Sequence, residues 1–181
     1  HEGLWDQLLA SLKKEDIVMI QFGHNDGGDI HDPKGKDRPD LPGLGDETAE
    51  VTRADGTTET VHTFGWYTKK FVNDVRAKGA IPILMTTTPY SIWIDGKIDR
   101  KLSNVNTWTR EVAAAEKVPL IDHTDAIDDV LDKLGQEKVK EFHPVDYLHT
   151  STPGAIVNAE AFIAAITQAI REDLKMEIRG A

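Results

Sequence analysis

The chain has 181 residues, 39% of them hydrophobic and 29% charged, enough for one α/β domain with a sizeable core and too few for two comfortable ones. A formal net charge of −10 removes the basic footprint of a nucleic-acid binder, and any anionic substrate must then be met by a local basic patch. There is no cysteine, which excludes disulfides but leaves the compartment open, and no stretch approaches the roughly 18 apolar residues of a membrane span.

Leu4, Trp5, Leu8, Leu9 and Leu12 recur at helical spacing from the outset, with no initiator Met, so the chain reads as a fragment or a processed product. After the charged turn Lys13-Lys14-Glu15-Asp16, the apolar run Ile17 to Phe22 predicts a parallel strand covered on both faces. Asp26 to His62 is a long polar stretch with turn signals such as Asp55-Gly56, too long for an idle connector and read as a binding loop or lid. Thr63 to Lys78 predicts a helix capped by Gly79, and Ala80 to Thr86 the next strand.

Thr87 to Arg100 is a second loop, bearing Pro89, Tyr90, Trp93 and Asp95-Gly96. Leu102 to Glu116 predicts a helix, Val118 to Asp122 a third strand, and Ala126 to Leu134 and Pro153 to Leu174 further helices. The last carries an apolar stripe through Ile156, Ala159, Phe162, Ile163, Ile166 and Ile170. Alternating strands and helices imply a doubly wound α/β sheet, in which ligands sit beyond the carboxyl ends of the strands. Asn25, Asp26, Thr87 to Tyr90 and the Asp122-His123 turn fall on that rim.

Chemistry concentrates in Glu141 to Ala155, around Asp146-x-x-His149. A carboxylate three residues before a histidine, on a turn, can fix the imidazole tautomer and leave the other ring nitrogen to take a proton. The bland alternative is a helix-entry turn whose Asp146 accepts backbone amides beside a surface His149. The second block, Gln21-Phe22-Gly23-His24-Asn25-Asp26, follows a strand end, so the Asn25 amide can project towards a developing oxyanion. Such a donor is worth roughly 3 kcal/mol in known sites; otherwise Asn25 caps its own turn, and Asp26 and His24 read as structural. The remaining histidines match no compact metal-ligand spacing.

Tyr67 and Trp108 read as core, whereas Tyr90 and Trp93 in the second loop are placed either to stack on a sugar or to pack inward. Ser11, Ser91, Ser103 and Ser151 lie in no nucleophile motif, and Ser151 suits a cap of the last helix.

QFGHND, LPGLGDET, HTFGWY and VDYLHTSTPGA together resemble the SGNH (GDSL-type) hydrolases, in their rhamnogalacturonan or pectin acetylesterase-like branch, from about Leu4 to about Ile170. The resemblance implies a flavodoxin-like, three-layer doubly wound parallel sheet with helices on both faces, residues 1–181 forming the C-terminal three quarters of one domain. It assigns Asn25 as side-chain oxyanion donor, Gly23 as the glycine of that block, Asp146 as triad acid and His149 as base. It places the nucleophilic serine in a Gly-Asp-Ser block without counterpart here, so about 50 to 70 residues are expected upstream, within ordinary domain sizes. Without them, Ile17 to Phe22 would show unpaired edge groups and an uncovered apolar face. The segment would then lie on a cleaved second chain, outside this sequence, or on another subunit.

The implied function is a secreted or periplasmic carbohydrate esterase that needs no cofactor and removes acetyl groups from an acidic, pectic polysaccharide or oligosaccharide. Lys34, Lys36, Arg38 and Arg53 would meet acidic sugars. The alternatives are a non-catalytic carbohydrate-binding relic of the fold, or an esterase acting on acetylxylan, a lipid ester or a thioester.

Overall fold

A computed structural model describes residues 3–26, 28–31, 40–53 and 55–180, with side chains as far as residue 168. Its elements in chain order are α1 (Leu4–Ser11), β1 (Ile17–Ile20), β2 (Thr48–Thr52), β3 (Thr58–His62), α2 (Phe64–Ala77) and β4 (Ile81–Met85). Then follow β5 (Trp93–Ile94), β6 (Lys97–Ile98), α3 (Val105–Glu116), β7 (Leu120–Ile121), α4 (His123–Leu134), α5 (Gln136–Val139), a 3-10 turn at Lys140–Phe142 and α6 (Thr152–Gly180). The main sheet runs in the order β1-β4-β7, and β1 pairs with β4 in parallel, Ile17 opposite Ile81 and Ile20 opposite Leu84.

The chain divides into two compact units, residues 1–85 with 105–120 and residues 86–104 with 121–181. In the first, α2 and α3 pack on β4, and Val18, Ile20, Val72, Val75, Leu84, Val112 and Val118 form the core. Helix α2 begins where Thr63 Oγ1 accepts the Trp66 amide at 3.1 Å, a cap worth about 1 kcal/mol. Helix α1 is fastened to α2 by Trp5, whose indole N–H donates to Asp74 Oδ2 at 2.8 Å while its ring lies 4.4 Å from that of Phe71.

Strand β1 alternates: Val18 and Ile20 are buried, whereas Ile17 is 64% and Met19 53% exposed. The apolar run is therefore covered on one face only. On the neighbouring strand Ile81 is likewise 45% exposed, and among the described residues β1 pairs with no strand besides β4. Covering such side chains is worth roughly 1.5–3 kcal/mol each.

The described part of the polar stretch Asp26 to His62 includes regular structure. It contains the antiparallel β2–β3 hairpin, Thr48 opposite His62, whose turn closes through Gly56 at φ 83° and through Asp55 Oδ1, which accepts the Thr57 amide at 2.9 Å. Alternating polar and β-branched residues hid this strand pair, because only Val51 and Val61 are buried. The second loop likewise folds into the β5–β6 hairpin, with Asp95 (φ 50°) and Gly96 (φ 77°) supplying the two positive φ angles of a type I′ turn.

In the second unit, α4 packs on α5, α6 and β6 around Ile98, Ile127, Leu131, Val139, Phe142 and Ala161. Helix α4 starts three residues earlier than the sequence pattern suggested. Asp122 is its N-cap, accepting the Asp125 amide and a bond from Thr86 Oγ1 at 3.1 Å, rather than the end of a strand. The apolar stripe on α6 is also rotated: Val157 and Ala161 pack inward, while Ile156 and Ile163 are 54% and 63% exposed. Small residues decide this, since Gly154 and Ala161 permit the closest approach.

Asp128 on α4 is fully buried, and neither carboxylate oxygen has a hydrogen-bond partner among the described residues. Burial first, and then Asp125, Asp132 and Asp129 against the opposing pull of Arg100, raises its pKa to about 7. A carboxyl raised above its unfolded value of 3.8 erodes stability as pH climbs from about 4 to about 7, and the full penalty stands above that. Asp128→Asn should therefore raise the melting temperature at pH 8, with the gain shrinking towards pH 4. Thermal denaturation across that range checks it, and a gain independent of pH would refute it.

Candidate active site

Asp146 and His149 lie on the irregular segment between the 3-10 turn and α6, and the structure brings them together. Asp146 Oδ2 stands 2.7 Å from His149 Nδ1, while Oδ1 accepts the backbone amides of Leu148 and His149 at 2.8 and 2.7 Å. One oxygen thus builds the turn and the other contacts the ring. The His149 side chain is 78% exposed, with its Nε2 making no hydrogen bond to a described residue, and so available to exchange a proton. The backbone bond from His149, then its ring, then the Leu148 amide hold the Asp146 carboxyl down at about 2. Its charge stabilises the turn above the unfolded value of 3.8, and that contribution is lost only as pH falls towards 2.

The segment is clamped at both ends. The Ser151 amide donates to Phe142 O at 2.7 Å and its hydroxyl to Glu141 O at 3.1 Å, while Ser151 Oγ also accepts the Gly154 amide at the start of α6. Ser151 is therefore a cap. In mid-segment Tyr147 O accepts the Ser91 amide at 2.7 Å. Phe142 is buried in the second core, so the clamp is anchored to packed structure.

Gly154 is needed for room. A Cβ there would stand 2.9 Å from Phe142 Cβ and from Phe142 O, and 3.1 Å from Thr150 Cβ. Gly154→Ala should cost about 1–3 kcal/mol and displace the Asp146–His149 turn. Thermal denaturation together with the NMR shift of the His149 Nδ1 proton would register it, and an unmoved proton signal with wild-type stability would contradict the packing argument.

In the first unit, Gly23 adopts φ 143°, a backbone conformation that side chains disfavour, and the Asp26 amide closes a turn on Gly23 O at 3.4 Å. Asn25 stands exposed in that turn, with no hydrogen bond to another described residue. Asp26 O accepts the Asp40 amide at 3.1 Å, a structural use of that residue. Burial, followed by the charge of Asp26, lifts the Asp40 carboxyl to about 7.

Trp93 packs against the second core, its indole N–H 3.4 Å from Ser91 Oγ, and Tyr90 is half-buried beside Tyr147. Arg53 is engaged within its hairpin by Glu59 at 2.7 Å, with its side chain 9% exposed. Lys34, Lys36 and Arg38 lie outside the described residues. Among the described residues no three His, Asp or Glu side chains group as a metal site, and no helix is long and apolar enough to cross a membrane. Sequence reasoning missed the clamp at Phe142 and Ser151 and the exposed ring of Tyr147, although Tyr147 adjoins Asp146 in the motif itself.

Residues 2–155 match the GDSL-like lipase/acylhydrolase family, and the chain belongs to that family. Within the SGNH superfamily it falls in the rhamnogalacturonan acetylesterase-like branch. It is 34% identical over 165 residues to the rhamnogalacturonan acetylesterase of Emericella nidulans, covering 91% of this chain and 66% of that protein. It is also 25% identical over 159 residues to YesY of Bacillus subtilis, named a probable rhamnogalacturonan acetylesterase, covering 85% of this chain and 63% of the relative. The chain thus spans a little under two thirds of the length of these relatives.

Two solved structures share the fold. Protein YXIM of Bacillus subtilis superposes with a TM-score of 0.69 at 21% identity, over 93% of this chain and 41% of the other. A variant of an acetyl-xylooligosaccharide esterase from Geobacillus gives 0.56 at 20% identity, over 91% of this chain and 64% of the other. The fold class is accordingly the flavodoxin-like α/β sheet of the SGNH hydrolases.

Proposed function

We propose that the chain is part of a serine esterase that removes acetyl groups from a pectic, rhamnogalacturonan-type polysaccharide. The observation that carries this reading is the Asp146–His149 pair, with Nδ1 held by a carboxylate and Nε2 unengaged. The names of the two relatives, rhamnogalacturonan acetylesterase and probable rhamnogalacturonan acetylesterase, support the substrate class.

In this reading His149 Nε2 takes the proton of a serine hydroxyl as its oxygen attacks the acetyl carbonyl. Asp146 holds the tautomer and stabilises the resulting imidazolium. The Asn25 amide donates to the oxyanion of the tetrahedral intermediate, and the Gly23 turn keeps that amide in the open. His149 then protonates the departing sugar oxygen, and water repeats the sequence on the acyl-enzyme to release acetate. The serine is supplied by polypeptide outside this sequence, whether on the same gene product or on a second chain. Two features favour such a segment: the open edge of β1 and the exposed Ile17, Met19 and Ile81, which an added strand and helix would cover. Lys34, Lys36 and Arg38 are assigned to acidic sugar groups, and the enzyme to a secreted or periplasmic setting where such polysaccharides occur.

The test is acetate release from acetylated rhamnogalacturonan by the full-length protein, with labelling by a serine-reactive phosphonate. Asp146→Asn should lower kcat by about 10⁴-fold, as an incorrect tautomer does in a known triad, and His149→Ala by at least as much. Because Asp146 stays charged down to about pH 2, acidification from pH 7 to 4 should leave its hydrogen bond to His149 intact, so any acid loss of activity in that range arises at another group. Full turnover in His149→Ala would end the proposal.

A further inference from the structure

Tyr147 is the large aromatic residue next to Asp146, two residues before His149, and it is 54% exposed. It does not dangle. Its carbonyl is held by the Ser91 amide at 2.7 Å, and its ring leans on that of Tyr90, with centroids 5.7 Å apart and planes at 54°. Tyr90 is itself half-buried, and burial followed by the nearness of Tyr147 raises the pKa of its hydroxyl. On the other side of Asp146, Val145 is 86% exposed. The segment therefore presents an apolar, braced surface on either side of its carboxylate, while its polar groups turn to the backbone and to His149.

An aromatic side chain buries about 150–250 Å² when covered, so leaving one open and braced favours whatever lies on it without an ordering cost at the moment of binding. The ligand chemistry follows from the neighbouring group. His149 must meet an ester oxygen, so the bound part of the substrate nearest Tyr147 is the ring that carries the ester. A pyranose presents an apolar C–H face that an uncharged aromatic ring can cover, while its hydroxyls stay in water. Trp93, by contrast, is turned onto the core and Tyr90 is used as the brace.

We propose that Tyr147 is a specificity-determining platform on which the ester-bearing sugar ring stacks, an assignment that rests on the esterase reading above. In the full-length protein, the ratio of kcat/KM for acetylated rhamnogalacturonan oligosaccharides to that for p-nitrophenyl acetate, which has no sugar ring, should fall about tenfold in Tyr147→Ala, through KM. Tyr147→Phe, which keeps the ring and loses the hydroxyl, should retain the wild-type ratio. An unchanged ratio in Tyr147→Ala overturns the proposal, as does a parallel loss on both substrates accompanied by a shifted His149 Nδ1 proton, since that marks a merely structural role. If the wild-type protein hydrolyses neither ester, the esterase reading fails on its own, and binding decides the platform. Deacetylated oligosaccharide should then bind the wild-type and Tyr147→Phe proteins and bind Tyr147→Ala at least tenfold more weakly, whereas equal binding by all three, or none by the wild type, refutes it.

Discussion

The carboxylate of Asp146 is the constraint around which the segment between the 3-10 turn and α6 is arranged. One oxygen closes a turn through two backbone amides and the other aligns the imidazole of His149, so a single side chain fixes both the loop and the ring it carries. Three hydrogen bonds to the charged form also explain why this carboxyl titrates at about 2 while largely in contact with water. An exposed Asp–His pair contributes little when nothing else limits its motion. Here the limit comes from its surroundings: Phe142 in the core, Ser151 bonded back to residues 141 and 142, Gly154 leaving no spare volume, and Ser91 gripping the middle of the segment.

The two compact units are built in different ways. In the first, a parallel strand pair covered by α2 and α3 ends in the Gly23–Asp26 turn, where a strand terminus hands over to an exposed amide. In the second, packed helices hold an irregular segment that carries Asp146 and His149. Placing reactive groups where regular structure stops is economical, because the strand or helix supplies rigidity while the turn leaves side-chain atoms uncommitted. The buried carboxyl of Asp128 is the opposite case: a charged residue type held away from the surface with no hydrogen-bond partner among the described residues.

Edge and face exposure on β1 connects sequence pattern to the completeness of the fold. A run of four apolar residues, Ile17 to Ile20, would ordinarily mean burial on both faces, yet only Val18 and Ile20 are covered. The pattern records the environment for which the strand is suited rather than the one these residues create by themselves.

Much was legible in the sequence because it depends on local spacing. The parallel strands, the long helices and the reach from Asp146 to His149 follow from periodicity and from a three-residue separation on a turn, and Ser151 as a helix cap from its position before Thr152-Pro153. Other features depended on contacts between residues distant in sequence. The β2–β3 hairpin was hidden because its strands bury few side chains, and the α6 stripe rotated because Gly154 and Ala161, rather than Ile156 and Ile163, admit the neighbouring segment. The start of α4 moved because Asp122 accepts both the Thr86 hydroxyl and the Asp125 amide. Likewise, the inward turn of Trp93 and the bracing of Tyr147 by Tyr90 and Ser91 were decided by tertiary packing, which alone sets which of several similar aromatic rings is left facing water.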